Sequence, residues 1–341
     1  MLVFEGWSYE EVLTPSVDYY ALFEQGMGVA EAQGSFRFTD SDGRMLSLRP
    51  DVTSSVARVA ATLLADANRP LRLCYAAPVF RQQQQSHAEW RRENTQLGCE
   101  LIGAGGSAAD MEVLLLAAEI LQRIGLADSF CMTINDVGIF NGLLDELRLD
   151  AVSREHLRRL VDTRDNTELN RFLDRLPATS ATKQSISTLT QLTGKRDVLE
   201  KAKVVVSSKE SLASVNKLLE LWNVIESLGQ QNLFEVDLAD VSSLDYYTGL
   251  SFKVFVRGVG YRVGRGGRYD GLTANFGNSE PAVGFVLNLD SLVEVLGRNG
   301  SANGLGTRQI KSIAVSELTK TFAEALRRRA NNEQIRIEPG Q

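Results

Sequence analysis

The chain is poor in the residues that build metal centres and disulfide frameworks. Of its 341 residues only three are cysteine, Cys74, Cys99 and Cys131, and two are histidine, His87 and His156. An odd cysteine count with no CxxC pair argues against a disulfide scaffold and a zinc knuckle, and places the thiols in the core. Two histidines starve a metal cluster or a histidine-based triad of ligands, so no metal or cofactor is expected and acid–base chemistry would fall to carboxylates. Long apolar runs are missing as well. The longest, Met111–Ala118, is broken by Glu112 and followed by Glu119, whereas a membrane-spanning helix needs roughly 20 apolar residues. Met1–Trp7 has no basic region leading into an apolar stretch and a small-residue cleavage site, so export is not expected and the chain should stay in the cytosol. Positive charge is also short: 37 Lys and Arg against 43 Asp and Glu leave a net charge of -6, which opposes broad binding to phosphate backbones.

What is present describes a soluble globular chain, 43% hydrophobic and 23% charged, long enough for one large core and a smaller unit. Phe36, Phe38, Leu46 and Leu48 alternate with polar residues about an Asp42-Gly43 turn, which predicts a hairpin. A helix over Val52–Leu64 is expected after Pro50. Arg72–Phe80 and Arg92–Ile102 read as a second strand pair joined by the polar loop Gln82–Arg91. Ser107 and Asp110 have the spacing of a capping box for a helix running to Ile124, stopped by Gly125, and Phe130–Ile134 returns as a strand. Helical spacing then dominates from Leu147 to Leu228. Short alternating segments restore a sheet over Val236–Leu289, with Gly264–Asp270 read as a glycine-rich turn beside a strand. The pattern predicts an α+β fold divided into a first core part (1–146), a helical insertion (147–230), a second core part (231–298) and a linker with a short C-terminal α/β tail (299–341), the linker being Asn299–Gly304 and the tail a strand, helix and strand.

In the strand Arg92–Ile102, alternation puts Asn94, Gln96, Gly98 and Glu100 on one face and Thr95, Leu97, Cys99 and Leu101 on the other. The first set is a polar floor or simply a solvated face. Leu48-Arg49-Pro50-Asp51-Val52-Thr53 places a carboxylate and a hydroxyl where a strand meets a helix, a junction that supplies both caps and ligand contacts; Asp51 reads equally as either. Leu244–Gly249 adds the phenols of Tyr246 and Tyr247 beside Asp245.

In this order the segments resemble histidyl-tRNA synthetases and their paralogues over Val12–Val293. Glu11–Pro15 resembles the strand after the motif 1 helix, and Phe36–Thr53 the hairpin ending in Leu-Arg-Pro-Glu-Gly-Thr. Phe80-Arg81 with Thr95–Glu100 resembles motif 2, Leu244–Gly249 the histidine-specific tyrosine motif, and Gly266–Phe285 the approach to motif 3. The resemblance implies the class II aminoacyl-tRNA synthetase-like fold, a mixed, mainly antiparallel sheet flanked by helices. It also implies a histidine site in which Asp51, Thr53, Gln96 and Glu100 hold the ammonium and imidazole, Tyr246 and Tyr247 close the pocket, and Arg81 grips the reacting centre as a bidentate donor. A structural ion pair is the other reading of Arg81.

The departures bear on function. An arginine that precedes the tyrosine motif in the synthetases is replaced within Ser242-Ser243. The motif 3 ending Gly-Leu-Glu-Arg is replaced by Asn288-Leu289-Asp290-Ser291, and the acidic position that reads adenine by Gln83. Removing one electrostatic donor from such a reaction costs about a hundredfold or more, so amino-acid activation is expected to be lost. Where the synthetases carry an anticodon-binding domain of about a hundred residues, only a short tail follows Gly297, and tRNA reading is not expected. The chain also begins inside the motif 1 region, which implies a shortened N-terminus. Among the family's paralogues, this pattern is that of the non-catalytic regulatory subunit of ATP phosphoribosyltransferase. The resemblance therefore implies a short-form catalytic partner chain, histidine as feedback effector in histidine biosynthesis, and self-association as a dimer. The alternatives are a minimal histidyl-tRNA synthetase and a synthetase-like tRNA-sensing domain.

Overall fold

The computed structural model describes residues 1–82, 91–127, 129–241, 247–298, 311–314, 324, 327–328 and 335–338. The chain divides into two compact units, Met1–Val293 and Glu294–Gln341. Among the described residues no helix is long and apolar enough to cross a membrane.

The first unit is an α+β fold. It opens with α1 (Leu2–Gly6), β1 (Glu10–Glu11), β2 (Val17–Tyr19), α2 (Tyr20–Met27), α3 (Val29–Ala32), β3 (Arg37–Thr39), β4 (Met45–Leu48) and α4 (Thr53–Ala61). The long strands β5 (Leu71–Phe80) and β6 (Glu93–Ile102) follow, then α5 (Gly106–Leu121) and β7 (Phe130–Asp136). A helical stretch comes next: α6 (Val137–Leu147), α7 (Ala151–Asp162), α8 (Asn166–Arg175), α9 (Ser180–Leu189), the two-residue β8 (Thr193–Gly194), α10 (Arg196–Val205) and α11 (Lys209–Ser227). The chain then returns as β9 (Phe234–Asp237), β10 (Leu250–Val256), β11 (Arg262–Arg268), β12 (Ala282–Asn288) and α12 (Leu289–Arg298).

Nine strands form one sheet in the order β1-β5-β6-β12-β11-β10-β7-β9-β8. It is mainly antiparallel, with parallel pairing at β1·β5 and β7·β9. Sheet register explains the division of its faces, because residues directly opposite across neighbouring strands share a side. Leu101, Val283 and Arg268 lie in one such row, and Cys99, Phe285, Gly266 and Phe252 in the next. This face is buried, and α1 contributes Phe4 to it, stacked 6.2 Å from Phe285. The glycines here answer a packing need: a Cβ on Gly266 would collide with the Phe252 ring, and one on Gly264 would come 2.5 Å from Leu287. The glycine-rich segment expected as a turn is therefore the strand β11, extended and buried because bare backbone lets aromatic rings lie against it.

Helices α6, α7, α8, α9 and α11 start where the sequence offers side-chain caps. Asp136, Asp150, Asp165, Thr179 and Ser208 accept from the backbone N–H of Gly138, Ser153, Glu168, Thr182 and Ser211, each satisfying a donor that the first turn leaves open. Helix α11 buries Val215, Leu218, Trp222 and Ile225 on one face. The expected capping box at Ser107 and Asp110 is not formed. Gly105 caps α5 without a side-chain bond, Ser107 Oγ donates to Glu220 at 2.6 Å, and Asp110, fully buried, pairs with Arg268 at 2.7 Å and Lys217 at 2.8 Å. Two cations bind a carboxylate more strongly than a backbone amide does, so tertiary pairing overrides the local motif. That triad ties α5, α11 and β11 together.

The hairpin β3–β4 forms about Asp42-Gly43, with Asp40 accepting from the Asp42 and Arg44 amides. It joins β2 in a separate three-stranded sheet. In the second unit, β13 (Lys311–Ala314) pairs in parallel with β14 (Ile335–Glu338), and Arg327 and Arg328 both bond Glu324. The linker expected at Asn299–Gly304 lies outside the described residues.

Candidate functional site

The face of the nine-stranded sheet opposite Phe4 carries the polar floor. Register aligns Leu73, Glu100, Gly284, Gly267 and Ser251 in one row, and Tyr75, Gly98, Val286, Arg265 and Lys253 in the next. Three adjacent glycines make room for the side chains packed over the middle of this face. A Cβ on Gly98 would come 2.7 Å from the Tyr75 hydroxyl, one on Gly267 would come 2.9 Å from the Tyr247 ring, and one on Gly284 would overlap the Glu100 carboxylate. The cavity above them is lined by Asp51, Thr53, Gln96, Glu100, Tyr247, Arg265, Tyr269, Gly284, Phe285 and Val286.

Glu100 is the chemical centre. It is 1% exposed, and each carboxylate oxygen accepts from a phenol: Oε1 from Tyr75 at 3.0 Å and Oε2 from Tyr269. Burial pushes its carboxyl up to about 7, while hydrogen bonds from Tyr269, Thr53 and Tyr75 pull it partway back and the nearby Asp51 charge raises it further. Burial and the Glu100 charge hold the Tyr75 phenol well above its ordinary range, so it remains a donor. Burial likewise lifts Tyr247 to about 12, against the opposing pull of Arg265. A carboxyl poised near neutrality can accept from a cationic ring or donate to a neutral one.

Asp51 and Thr53 reach the cavity because the junction before α4 is fastened to β5. Arg49, 3% exposed, donates through Nε to the Pro78 carbonyl at 2.6 Å and through Nη1 to the Thr14 carbonyl at 2.7 Å. The Phe80 amide bonds back to the Arg49 carbonyl at 2.9 Å. Asp51 also caps: its Oδ1 accepts from the Ser54 amide at 3.0 Å and Oδ2 from the Ser54 hydroxyl at 3.2 Å. The residue is thus a cap that also lines the cavity. Gln96 differs, since its Oε1 is buried with no hydrogen-bond partner among the described residues. An unmatched buried acceptor costs about 1–3 kcal/mol, which a ligand N–H would recover.

Arg81 does not line this cavity. It lies in an adjoining one with Arg91, Asn94, Gln96, Arg262, Arg265 and Asn288; Gln96, Arg265 and Val286 border both. Arg81 Nε donates to the Pro50 carbonyl at 3.0 Å and Nη1 faces Glu31 at 3.5 Å, so a structural anchoring accompanies its position at the margin. Where the synthetases end motif 3, Asn288 accepts from the Ser291 amide at 3.0 Å, Ser291 is buried, and Asp290 accepts from the Thr95 amide at 2.7 Å while facing Arg91 at 3.4 Å. Tyr246, Ser242, Ser243 and Gln83 lie outside the described residues. The structure thus gathers Asp51, Thr53, Gln96, Glu100 and Tyr247 on one cavity; it adds Tyr269 and Arg265 to the lining and Tyr75 as a donor to Glu100, all three missed by sequence reasoning. Tyr75 sits in an apolar run that gave no sign of a polar task. Arg265 was hidden by reading its segment as a turn; alternation along a strand would have put it on the same face as Gly267.

No group of three or more His, Cys, Asp or Glu side chains is placed to hold a metal among the described residues. The sequence profile of the histidyl-tRNA synthetase family matches residues 1–292. The ATP phosphoribosyltransferase regulatory subunit of Moorella thermoacetica is 35% identical over 321 residues, 94% of this chain and 82% of that one. The Bacillus velezensis protein of the same name is 37% identical over 292 residues, 85% of this chain and 74% of that one. A crystal structure from Bacillus halodurans, described as an ATP phosphoribosyltransferase regulatory subunit/histidyl-tRNA synthetase, superposes with a TM-score of 0.85 at 31% identity, covering 99% of this chain and 86% of that one. Histidyl-tRNA synthetase from Nostoc, at 20% identity and a TM-score of 0.79 over 100% of this chain and 80% of that one, shares the fold. The chain belongs to the histidyl-tRNA synthetase family and has its class II synthetase-like fold. Within that family it groups with the ATP phosphoribosyltransferase regulatory subunits, non-catalytic paralogues that serve histidine biosynthesis.

Proposed function

We propose that this chain regulates ATP phosphoribosyltransferase by holding free histidine in the cavity of Asp51, Thr53, Gln96, Glu100 and Tyr247, with Arg81 at its margin and Tyr246 closing it. The observation that carries the reading is Glu100, buried between two phenols and sharing its cavity with the unmatched Gln96 oxygen. The imidazole would meet Glu100, and the ammonium would meet Gln96 Oε1, Thr53 and Asp51. Carboxylate, amide and hydroxyl acceptors suit a cationic amino acid whose ring both donates and accepts.

In this reading the catalytic step belongs to a short-form partner chain in the cytosol, and histidine inhibits by binding two states of the assembly unequally, a coupling of about 1–3 kcal/mol being typical. The helical segment 147–230 is an insertion between core parts 1–146 and 231–298, followed by the tail 299–341. Self-association as a dimer is supported by the three-stranded sheet. Its register puts Val17 beside Leu48, and Tyr19 and Phe38 beside Leu46, on one face, where Val17, Tyr19 and Phe38 are more than 40% exposed. An apolar face of this kind marks an interaction surface.

The test is reconstitution. This chain and a short-form ATP phosphoribosyltransferase are mixed, the complex is sought by size-exclusion chromatography, and phosphoribosyl-ATP formation is followed with and without histidine. A complex whose activity rises on mixing and falls with histidine is expected; no complex and no change in rate sink the proposal.

A further inference from the structure

The cavity has an uneven charge balance. Asp51 and Glu100 are acids, Thr53, Gln96 and the phenols are neutral, and Arg265 is the one cation among the described residues lining it. Arg265 lies in register between Val286 of β12 and Lys253 of β10, on the open face beside Gly267. It also borders the adjoining cavity, where Arg81, Arg91 and Arg262 gather around Asn94 and Asn288. A free amino acid brings an anion as well as two cationic groups, and the acids of the cavity repel that anion. The field of the clustered arginines points it the other way.

We propose that Arg265 determines specificity for the α-carboxylate of the bound amino acid, fixing the ligand with its carboxylate at the boundary between the two cavities and its ring toward Glu100. The assignment rests on the histidine reading above and extends it: the cavity accepts a whole amino acid and rejects the corresponding amine. A guanidinium suits the task because its planar fork grips both carboxylate oxygens, which an ammonium cannot do. The residue is a ligand contact placed by a strand rather than by a loop. Its backbone is held on both sides by sheet pairing, which fixes the point from which the side chain reaches the cavity.

The experiment is calorimetric titration of the full chain, and of its Arg265→Met and Arg265→Lys variants, with histidine, histidinol and histamine. Histidinol replaces the carboxylate by an alcohol, and histamine removes it. The wild-type chain should bind histidine about 10- to 100-fold more tightly than histamine, the range set by one charge-assisted pair. Arg265→Met should weaken histidine by a similar factor and leave histamine unchanged, bringing the ratio close to one. Arg265→Lys should recover part of the preference, since it restores charge without the fork. Equal loss of histidine and histamine binding in both variants, or an undiminished preference in Arg265→Met, overturns the assignment while leaving histidine as the ligand. A wild-type chain that binds none of the three overturns the histidine reading and this assignment with it.

Discussion

Replacing Glu100 by Gln should make the protein more stable at alkaline pH and worse at binding histidine. The Glu100 carboxyl rises from 4.5 to about 7 in the fold. At about 1.4 kcal/mol for each tenfold change in proton affinity, keeping it ionised costs the native state about 3 kcal/mol. The sign follows from linkage. The folded chain holds this proton more tightly than the unfolded chain does, so the cost is absent below pH 4.5, grows as pH rises through the interval, and is complete above about 7. Glutamine cannot ionise and should abolish that dependence while leaving an oxygen for one of the two phenols. Urea unfolding of both proteins at pH 5 and pH 8 measures it. The variant should gain about 3 kcal/mol relative to wild type between the two pH values, whatever its offset at pH 5. In parallel, histidine binding should weaken by about 1.5–3 kcal/mol through loss of the charge-assisted bond. Parallel stability profiles of variant and wild type would show that Glu100 is not the strained carboxylate described.

Asp110→Ala should cost about 1.5–3 kcal/mol of stability, read as a lowered urea midpoint, because it removes one of the two carboxylates on the buried Arg268, Asp270 remaining at 3.0 Å, and the 2.8 Å partner of Lys217. Gly284→Ala should destabilise by about 1–3 kcal/mol and abolish histidine binding by thrusting a methyl into the Glu100 carboxylate. Gly260→Ala, where nothing lies within 4 Å of the added carbon, is its control and should change stability by less than about 0.5 kcal/mol. Phe38→Glu, on the exposed face of the small sheet, should leave unfolding nearly unchanged but shift sedimentation toward monomer; an unaltered sedimentation profile rejects that face as the contact.

Affinity for histidine should be bell-shaped in pH. Glu100 near 7 and an imidazole near 6.5 share one proton best between those values. Acid overloads the pair with protons and alkali strips it. A flat calorimetric profile between pH 5 and 8.5 would contradict the pairing.

The linear sequence determined whatever depends on neighbours along the chain. Alternation in 92–102 announced β6 and separated Gln96 and Glu100 from Cys99 and Leu101, because strand parity is a local property. The Asp42-Gly43 turn and the caps of the helices between 137 and 227 are set the same way, by side chains reaching two or three residues. The tertiary structure decided everything that needs residues far apart. Asp110 has the spacing of a cap, yet Arg268 and Lys217, from β11 and α11, claimed it. Gly264–Gly267 has the composition of a turn, yet neighbouring strands and the Phe252 and Tyr247 rings hold it extended. Most consequentially, the protonation of Glu100 is fixed by burial and by Tyr75 and Tyr269, 25 and 169 residues away. Desolvation is a property of the packed interior, and no local pattern encodes it.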